Sequence, residues 1–174
     1  MPFYSIKSKK LIPIKTSLNK FVEKDVQILT EQNLDELFDL EFLDTEVPIS
    51  NFRIDTLAFD PETSSFVIIE YKRDRSFSVS DQGLSYLSLL LNHKADFVLK
   101  YNKIKNQNKS VEDFDWAQSR VVLVANSFTP HQLQALGFRD LPIELWEVKI
   151  NEDDLFYYDK INIPHAEESK DVIR

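Results

Sequence analysis

Two runs in the middle of the chain are apolar apart from a few charges: FRIDTLAF over 52–59 and FVIIEYK over 66–72. The charges are Asp55, Glu70 and Lys72, with Arg53 near the start of the first run. Both runs read as β-strands around the polar turn DPETSS, and both are apolar on both faces, as strands near the centre of a covered sheet are. Side chains alternate along a strand, so Glu70 and Lys72 share a face and Tyr71 points the other way. A symmetric hairpin centred between Asp60 and Ser65 pairs Asp55 with Glu70 and Arg53 with Lys72, and paired residues share a face with Cβ atoms about 4.5–5.5 Å apart. Two carboxylates and an ammonium then converge on one side of the sheet. Acids this close repel unless a proton or a cation lies between them. Hard oxygen donors suit Mg2+, which takes one or two carboxylates, keeps several waters and often shares a phosphate oxygen. Lys72 is placed to hold or activate an attacking water and to offset phosphate charge. The chemistry open to these parts is metal-assisted hydrolysis of a phosphodiester. The same residues would equally make an internal salt bridge, Lys72 to Asp55 or Glu70.

The segment after the second run adds polar groups. Ser78-Val79-Ser80-Asp81 matches a capping box and opens a helix through about residue 92. Gln82 and Tyr86 are four apart and lie on one face of it. Gln82 is suited to orient a water or a phosphate, and Tyr86 to donate to a phosphate or stack a base. Gly83 sits inside this helix at a cost of about 1 kcal/mol relative to Ala, and its bare surface would let a strand or a backbone approach closely. Arg73 and Arg75 follow the strand directly and add positive charge where a phosphate backbone could run.

Composition removes most other chemistries. The chain has two glycines among 174 residues and no cysteine. A P-loop, a dinucleotide-binding GxGxxG turn and a GxSxG nucleophile elbow each need more glycine at short spacing. Disulfides, zinc ribbons, iron–sulfur clusters and thiol nucleophiles are excluded outright. The three histidines, His93, His131 and His165, stand far apart. No stretch approaches the roughly 18 apolar residues of a membrane span, and the first residues lack the apolar run of a signal peptide, so the expectation is a soluble cytoplasmic protein without a membrane partner. The net charge of −8 argues against a binder that uses its whole surface for nucleic acid. The charge is uneven, however. Residues 1–20 hold five lysines and no acid, and residues 97–110 hold Lys100, Lys103, Lys105 and Lys109 and no acid. Each group reads either as a local basic face on an acidic body or as ordinary solvated surface.

The elements that must position the charged residues follow from periodicity. The first 16 residues, with Pro2 and Pro13, read as an extended lead or an edge strand. A helix capped by Ser17 or Asn19 is expected to run to about residue 38, followed by a strand over 41–47 stopped by Pro48. After the two central strands come two helices, 78–92 and 93–105. A buried strand (RVVLVA, 120–125), a short helix over 130–136 ended by Gly137, and late strands at 143–150 and 155–158 complete the chain. The order α, βββ, αα, β, α, ββ predicts a single α/β domain over residues 1–174, with a mixed central sheet and helices on both faces. Trp146 and the late tyrosines are expected to serve packing.

The ordered set RID…IIEYKR…DQGLSY resembles the PD-(D/E)xK, or restriction-endonuclease-like, nuclease superfamily, and within it the branch with a trailing QxxxY motif. It is similar to the C-terminal nuclease domain of NucS-type endonucleases and to single-domain proteins sharing that segment, over about residues 20–125. The resemblance implies a restriction-endonuclease-like fold and a Mg2+-dependent nuclease, with Mn2+ as an alternative ion. Asp55 and Glu70 would bind the metal, Lys72 would be the catalytic lysine, and Gln82 and Tyr86 would complete the site. It also places a glutamate on the first helix near the metal. Glu23, in VEKDVQIL, matches best, with Glu31 as the fallback. Ile54 stands before Asp55, where many relatives carry proline. Nucleic acid, with DNA foremost, is the expected partner, contacted by Arg53, Arg73, Arg75, Gln82 and Tyr86. A homodimer is a common arrangement in the superfamily. The rival from another class is a non-catalytic nucleic-acid-binding or protein-interaction module that keeps the fold.

Overall fold

The computed structural model describes residues 4–14, 22–73, 77–137, 140–150 and 155–163. A hairpin comes first, β1 (Tyr4–Lys7) and β2 (Lys10–Pro13), followed by helices α1 (Glu23–Glu31) and α2 (Leu34–Phe38). Three strands follow, β3 (Glu41–Ile49), β4 (Phe52–Asp60) and β5 (Ser65–Lys72), then helices α3 (Val79–Asn92) and α4 (Lys94–Lys105). The rest is β6 (Arg120–Ala125), α5 (Pro130–Leu136), β7 (Ile143–Ile150) and β8 (Phe156–Ile161).

Strands β3 to β8 form one sheet in sequence order. β3, β4 and β5 are antiparallel neighbours, joined by short turns. β5, β6 and β7 run parallel, and β8 returns antiparallel. Parallel neighbours require a crossover, which α3 with α4 supplies between β5 and β6, and α5 between β6 and β7. β5 is buried from Ser65 to Tyr71 because helices cover both its faces. On one face Leu57, Phe59, Phe66 and Ile68 pack with Leu87 and Leu90 of α3 and Phe97 of α4. On the other, Ala58, Val67, Ile69 and Tyr71 pack with Val26 of α1 and Leu34 of α2. The expected mixed sheet with helices on both faces is present, and its parallel centre explains why the runs in β5 and β6 are apolar without alternation.

Three local expectations are corrected, and a fourth falls on residues outside those described. The first helix does not run unbroken to residue 38: it divides at Gln32 and Asn33, and the Asn33 side chain donates back to the Leu29 carbonyl at 2.8 Å. Its cap, expected at Ser17 or Asn19, lies outside the described residues, and the described helix starts at Glu23 after an uncapped Val22. Pro48 does not stop β3, because β3 is an edge strand, where a missing N–H removes no ladder bond. The extended lead forms its own two-stranded sheet rather than an edge strand of the main one.

Two of the four lysines expected as a basic face or as solvated surface over 97–110 are taken up in ion pairs. Lys100 pairs with Asp44 at 2.8 Å and Lys105 with Glu41 at 2.6 Å, tying α4 to β3. Trp146 meets Phe38 and Tyr158 edge-on, at 4.8 and 5.9 Å between ring centres, a packing role.

Candidate active site

The β4–β5 ladder follows the symmetric register, Asp60 with Ser65 through Thr56 with Ile69. It ends there, one step before Asp55 and Glu70. The two acids continue the contact through side chains. The Asp55 N–H donates to Glu70 Oε1 at 2.9 Å, and the Tyr71 N–H donates to Asp55 Oδ2 at 3.1 Å. Lys72 Nζ lies 3.8 Å from Glu70 Oε2. The expected pairing of Arg53 with Lys72 does not occur. Arg53 instead pairs with Pro48 of β3, and its guanidinium forms an ion pair with Glu46, because the ladder to β5 has already ended at Thr56.

The acid pair and the lysine stand at the carboxyl end of β5. Next to them, β6 brings Leu123 opposite Glu70 and Ala125 opposite Lys72. The carboxyl ends of parallel strands are where open α/β sheets bind ligands. Glu70 is 1% exposed, Asp55 is half-buried, and the Lys72 side chain is 27% exposed. The group is therefore rooted in the core and opens toward solvent on the lysine side.

Helix α3 closes one flank. The Ser78 hydroxyl caps it by accepting from the Asp81 N–H, so its first turn is fixed close to the end of β5. Tyr86 reaches the acids and donates its hydroxyl to Glu70. Gln82 is on the same helix face, and its Oε1 is buried with no hydrogen-bond partner. Gly83 permits this close seat: a Cβ there would come within 2.4 Å of Ile143 Cδ1 on β7. The bare patch thus receives a core side chain of the sheet.

The electrostatics follow from this crowding. Burial first, and then the charge of Asp55, push the Glu70 carboxyl up to about 8, although hydrogen bonds from the Asp55 N–H and Tyr86 pull the other way. Burial and the charge of Glu70 raise the Tyr86 phenol well above its ordinary range, so it serves as a donor.

Helix α1 contributes on the opposite flank. Glu23 Oε2 accepts from the Arg73 N–H at 3.2 Å, one residue beyond β5, so Glu23 stands at the rim of the site. Glu31 does not: it accepts from Thr56 Oγ1 at 2.7 Å on the far face of the sheet, where Tyr71 also lies. The fallback is thereby corrected, since alternation along β4 sends Asp55 and Thr56 to opposite faces. Arg73 is exposed, and Arg75 lies outside the described residues.

One residue escaped the sequence reading. Gln27, on α1 and 5% exposed, donates from Nε2 to the Asp55 carbonyl at 2.9 Å, to Thr45 Oγ1 at 3.1 Å and to Glu31 Oε1 at 3.0 Å. It satisfies the Asp55 carbonyl where ladder pairing with β5 fails. Its only sequence signal is the helical spacing of four from Glu23.

Among the described residues no three His, Cys, Asp or Glu gather as metal ligands. The candidate site is a two-carboxylate one, a donor set that fits Mg2+ with its remaining positions left to water and phosphate. The raised Glu70 and the unpartnered Gln82 Oε1 fit the same ion and its waters: the first calls for a cation, the second for a donor.

No family model matches the chain. A curated uncharacterized protein of Haemophilus influenzae is 48% identical over 162 residues, covering 93% of this chain and 53% of that protein. The chain thus spans about half the length of the curated relative it matches. Among solved structures it is similar to a repair endonuclease from Pyrococcus abyssi, with a TM-score of 0.47 and 21% identity over 74% of this chain and 48% of the other. It is also similar to a complex of EndoMS with dsDNA, with a TM-score of 0.48 and 19% identity over 79% and 50%. A third likeness is to Pyrococcus furiosus SfsA in complex with Ca2+, with a TM-score of 0.40 and 12% identity over 91% and 75%.

Proposed function

We propose that this chain is a Mg2+-dependent nuclease of the restriction-endonuclease-like kind, hydrolysing phosphodiester bonds of DNA. The observation that carries the reading is the convergence of Asp55, Glu70 and Lys72 at the carboxyl end of a parallel strand, with the two acids in contact and the lysine 3.8 Å away. A buried salt bridge needs one acid per lysine; a second acid pressed against the first is costly without a further cation.

Asp55 and Glu70 would hold Mg2+, which when bound polarises a phosphoryl oxygen and offsets the charge that develops there. The Lys72 ammonium orients the attacking water and neutralises a non-bridging oxygen of the same phosphate. The water oxygen bonds to phosphorus as the bond to the leaving sugar oxygen breaks; the water gives up a proton to solvent and the leaving sugar oxygen takes one from solvent, departing as the alcohol. Tyr86 donates to Glu70 and so favours the carboxylate form. Gln82 Oε1 accepts from the water or from Lys72. Glu23, at the end of β5, fixes the Arg73 backbone and adds negative charge at the rim. Among the described residues no ion pair engages the exposed Arg73, which would meet a phosphate directly, whereas Arg53 must first leave Glu46. Cutting both strands of a duplex calls for two such sites, so a homodimer is the matching assembly.

The test is cleavage of single-stranded, branched, mismatched and fully paired DNA, and of RNA, with Mg2+ or Mn2+. Cleavage by the wild-type chain that is lost in Lys72→Ala supports the reading. Binding without cleavage on every substrate would make the chain a non-catalytic module, and neither binding nor metal affinity would leave only a structural cluster.

A further inference from the structure

The hairpin of β1 and β2 is a part of the chain that the nuclease reading does not use. Its register pairs Tyr4 with Pro13, Ser5 with Ile12, Ile6 with Leu11 and Lys7 with Lys10. Paired residues share a face, so Lys7 and Lys10 stand side by side at the end next to the turn. Ser8 and Lys9 make that turn with φ of 52° and 64°, the left-handed region that favours glycine and asparagine. Three ammonium groups are thus gathered at the tip, two of them directly opposed on neighbouring strands, an arrangement that repels itself. Among the described residues none of the three has an ion-pair partner, and residues 1–20 hold no acid at all. The strands are exposed along nearly their whole length. An isolated two-stranded hairpin is marginal in water, and this one carries an electrostatic cost as well.

A polyanion relieves both problems. We propose that the β1–β2 hairpin is a DNA-gripping ribbon, whose tip lysines Lys7, Lys9 and Lys10 contact backbone phosphates of the duplex that the candidate site cleaves. The proposal rests on the nuclease reading for the identity of the polyanion. Its own basis is charge complementarity: a net positive, unpaired tip on a chain whose overall charge is −8. A two-stranded ribbon fits the major groove, and lysines at its tip meet phosphates as point charges, fixing position without reading sequence. The acidic body would be repelled by DNA everywhere else, so the hairpin and the rim of the site would share the work of binding.

The experiment measures binding of the full chain to a short fluorescein-labelled duplex by anisotropy, in chelator so that nothing is cut, over a range of salt. The variants are Lys7→Gln, Lys9→Gln and Lys10→Gln, singly and together, with Lys103→Gln on α4 as the control. Each lysine that meets a phosphate contributes about 0.9 to the slope of log K against log salt. The expected result is a stepwise loss of that slope and of affinity with each hairpin lysine, and none with the control. With metal restored, the triple variant should show a raised KM and an unchanged kcat. Wild-type affinity and slope in the triple variant, beside intact cleavage, would overturn the ribbon and leave the nuclease reading standing. A wild-type chain that neither binds nor cuts DNA would overturn both. Salt-insensitive self-association abolished by Ile6→Ser with Leu11→Ser would instead assign the hairpin's apolar face to a second copy and overturn the ribbon.

Discussion

Asp55 and Glu70 are held by crossed backbone bonds. The Asp55 N–H donates to Glu70 Oε1 at 2.9 Å, and the N–H of Tyr71, the residue after Glu70, donates to Asp55 Oδ2 at 3.1 Å. Each carboxylate does for the partner strand what a ladder carbonyl would have done one step further along. The sheet is therefore kept together at the point where its backbone pairing stops, and the two acids cannot swing apart without leaving a buried N–H unpaired. Glu70 Oε2, the oxygen nearest Lys72, stays outside this exchange.

That confinement makes the metal-free chain sensitive to pH. Glu70 titrates near 4.5 when unperturbed and is pushed up to about 8 in the fold, by burial first and Asp55 second. Between those values the folded state binds a proton that the unfolded state has released. Stability then falls as pH rises through the window. In chelator, the melting temperature should be highest near the lower end, decline toward the upper and level off beyond it. Glu70→Gln should flatten the decline, and Mg2+ should raise the wild-type melting temperature most at the alkaline end. A Glu70→Gln chain with the wild-type slope would show that another group titrates.

Tyr86 works on the same carboxyl from α3. Its hydroxyl donates to Glu70 and lowers that group's pKa relative to burial alone. A hydrogen bond to a charged group is worth about 1.5–3 kcal/mol, or about 1–2 pH units at 1.36 kcal/mol per unit. Tyr86→Phe should therefore move the acid limb of the cleavage pH profile upward by about that much at limiting Mg2+. An unmoved limb with reduced rate would mean that Tyr86 acts on the substrate and not on Glu70.

Much of this arrangement is legible in the sequence because strand alternation and a short polar turn leave few choices. The turn DPETSS sets the register from Asp60–Ser65 to Thr56–Ile69, and Glu70 and Lys72 must then share a face. What is not legible is where pairing ends. Periodicity continues through Arg53 and Lys72, but the strands diverge before them, and Arg53 turns to Glu46 of β3. Glu23 and Glu31 are two turns apart on one helix, equally half-buried, and only their hydrogen-bond partners on the sheet separate the acid at the rim from the one on the far face. The β1–β2 hairpin left no signal, since its turn residues, Ser8 and Lys9, are not the asparagine or glycine that announce such a turn.

Gln27 should matter to the site although it reaches none of the reacting groups. Its Nε2 donates to the carbonyl of Asp55, and Gln27→Leu keeps the volume while removing that donor. The Asp55 carbonyl would keep only the long 3.5 Å bond from Thr45 Oγ1; a carbonyl so poorly satisfied costs up to about 1–3 kcal/mol, and the Asp55 peptide would be free to rotate away from Glu70. Urea melts should show a loss of that size, and cleavage should fall in kcat with KM little changed. Full activity in the destabilised variant would confine Gln27 to a structural role.

Gly83 links the position of Gln82 and Tyr86 to the sheet. A Cβ added there meets Ile143 Cδ1 at 2.4 Å and Cγ1 at 3.1 Å, and Ile143 is itself buried at the start of β7. Overpacking of this kind costs about 1–3 kcal/mol, while replacing a helical glycine by alanine returns about 1 kcal/mol. Gly83→Ala should therefore destabilise the chain by up to about 2 kcal/mol. Ile143→Val removes the atom in closest conflict, so in that background Gly83→Ala should become neutral or stabilising. The same pair should report on function: α3, lifted from β7 in the single variant, carries Tyr86 away from Glu70, and cleavage should fall and then recover in the double variant. Additive losses across the two substitutions would show that α3 does not rest on Ile143 through Gly83.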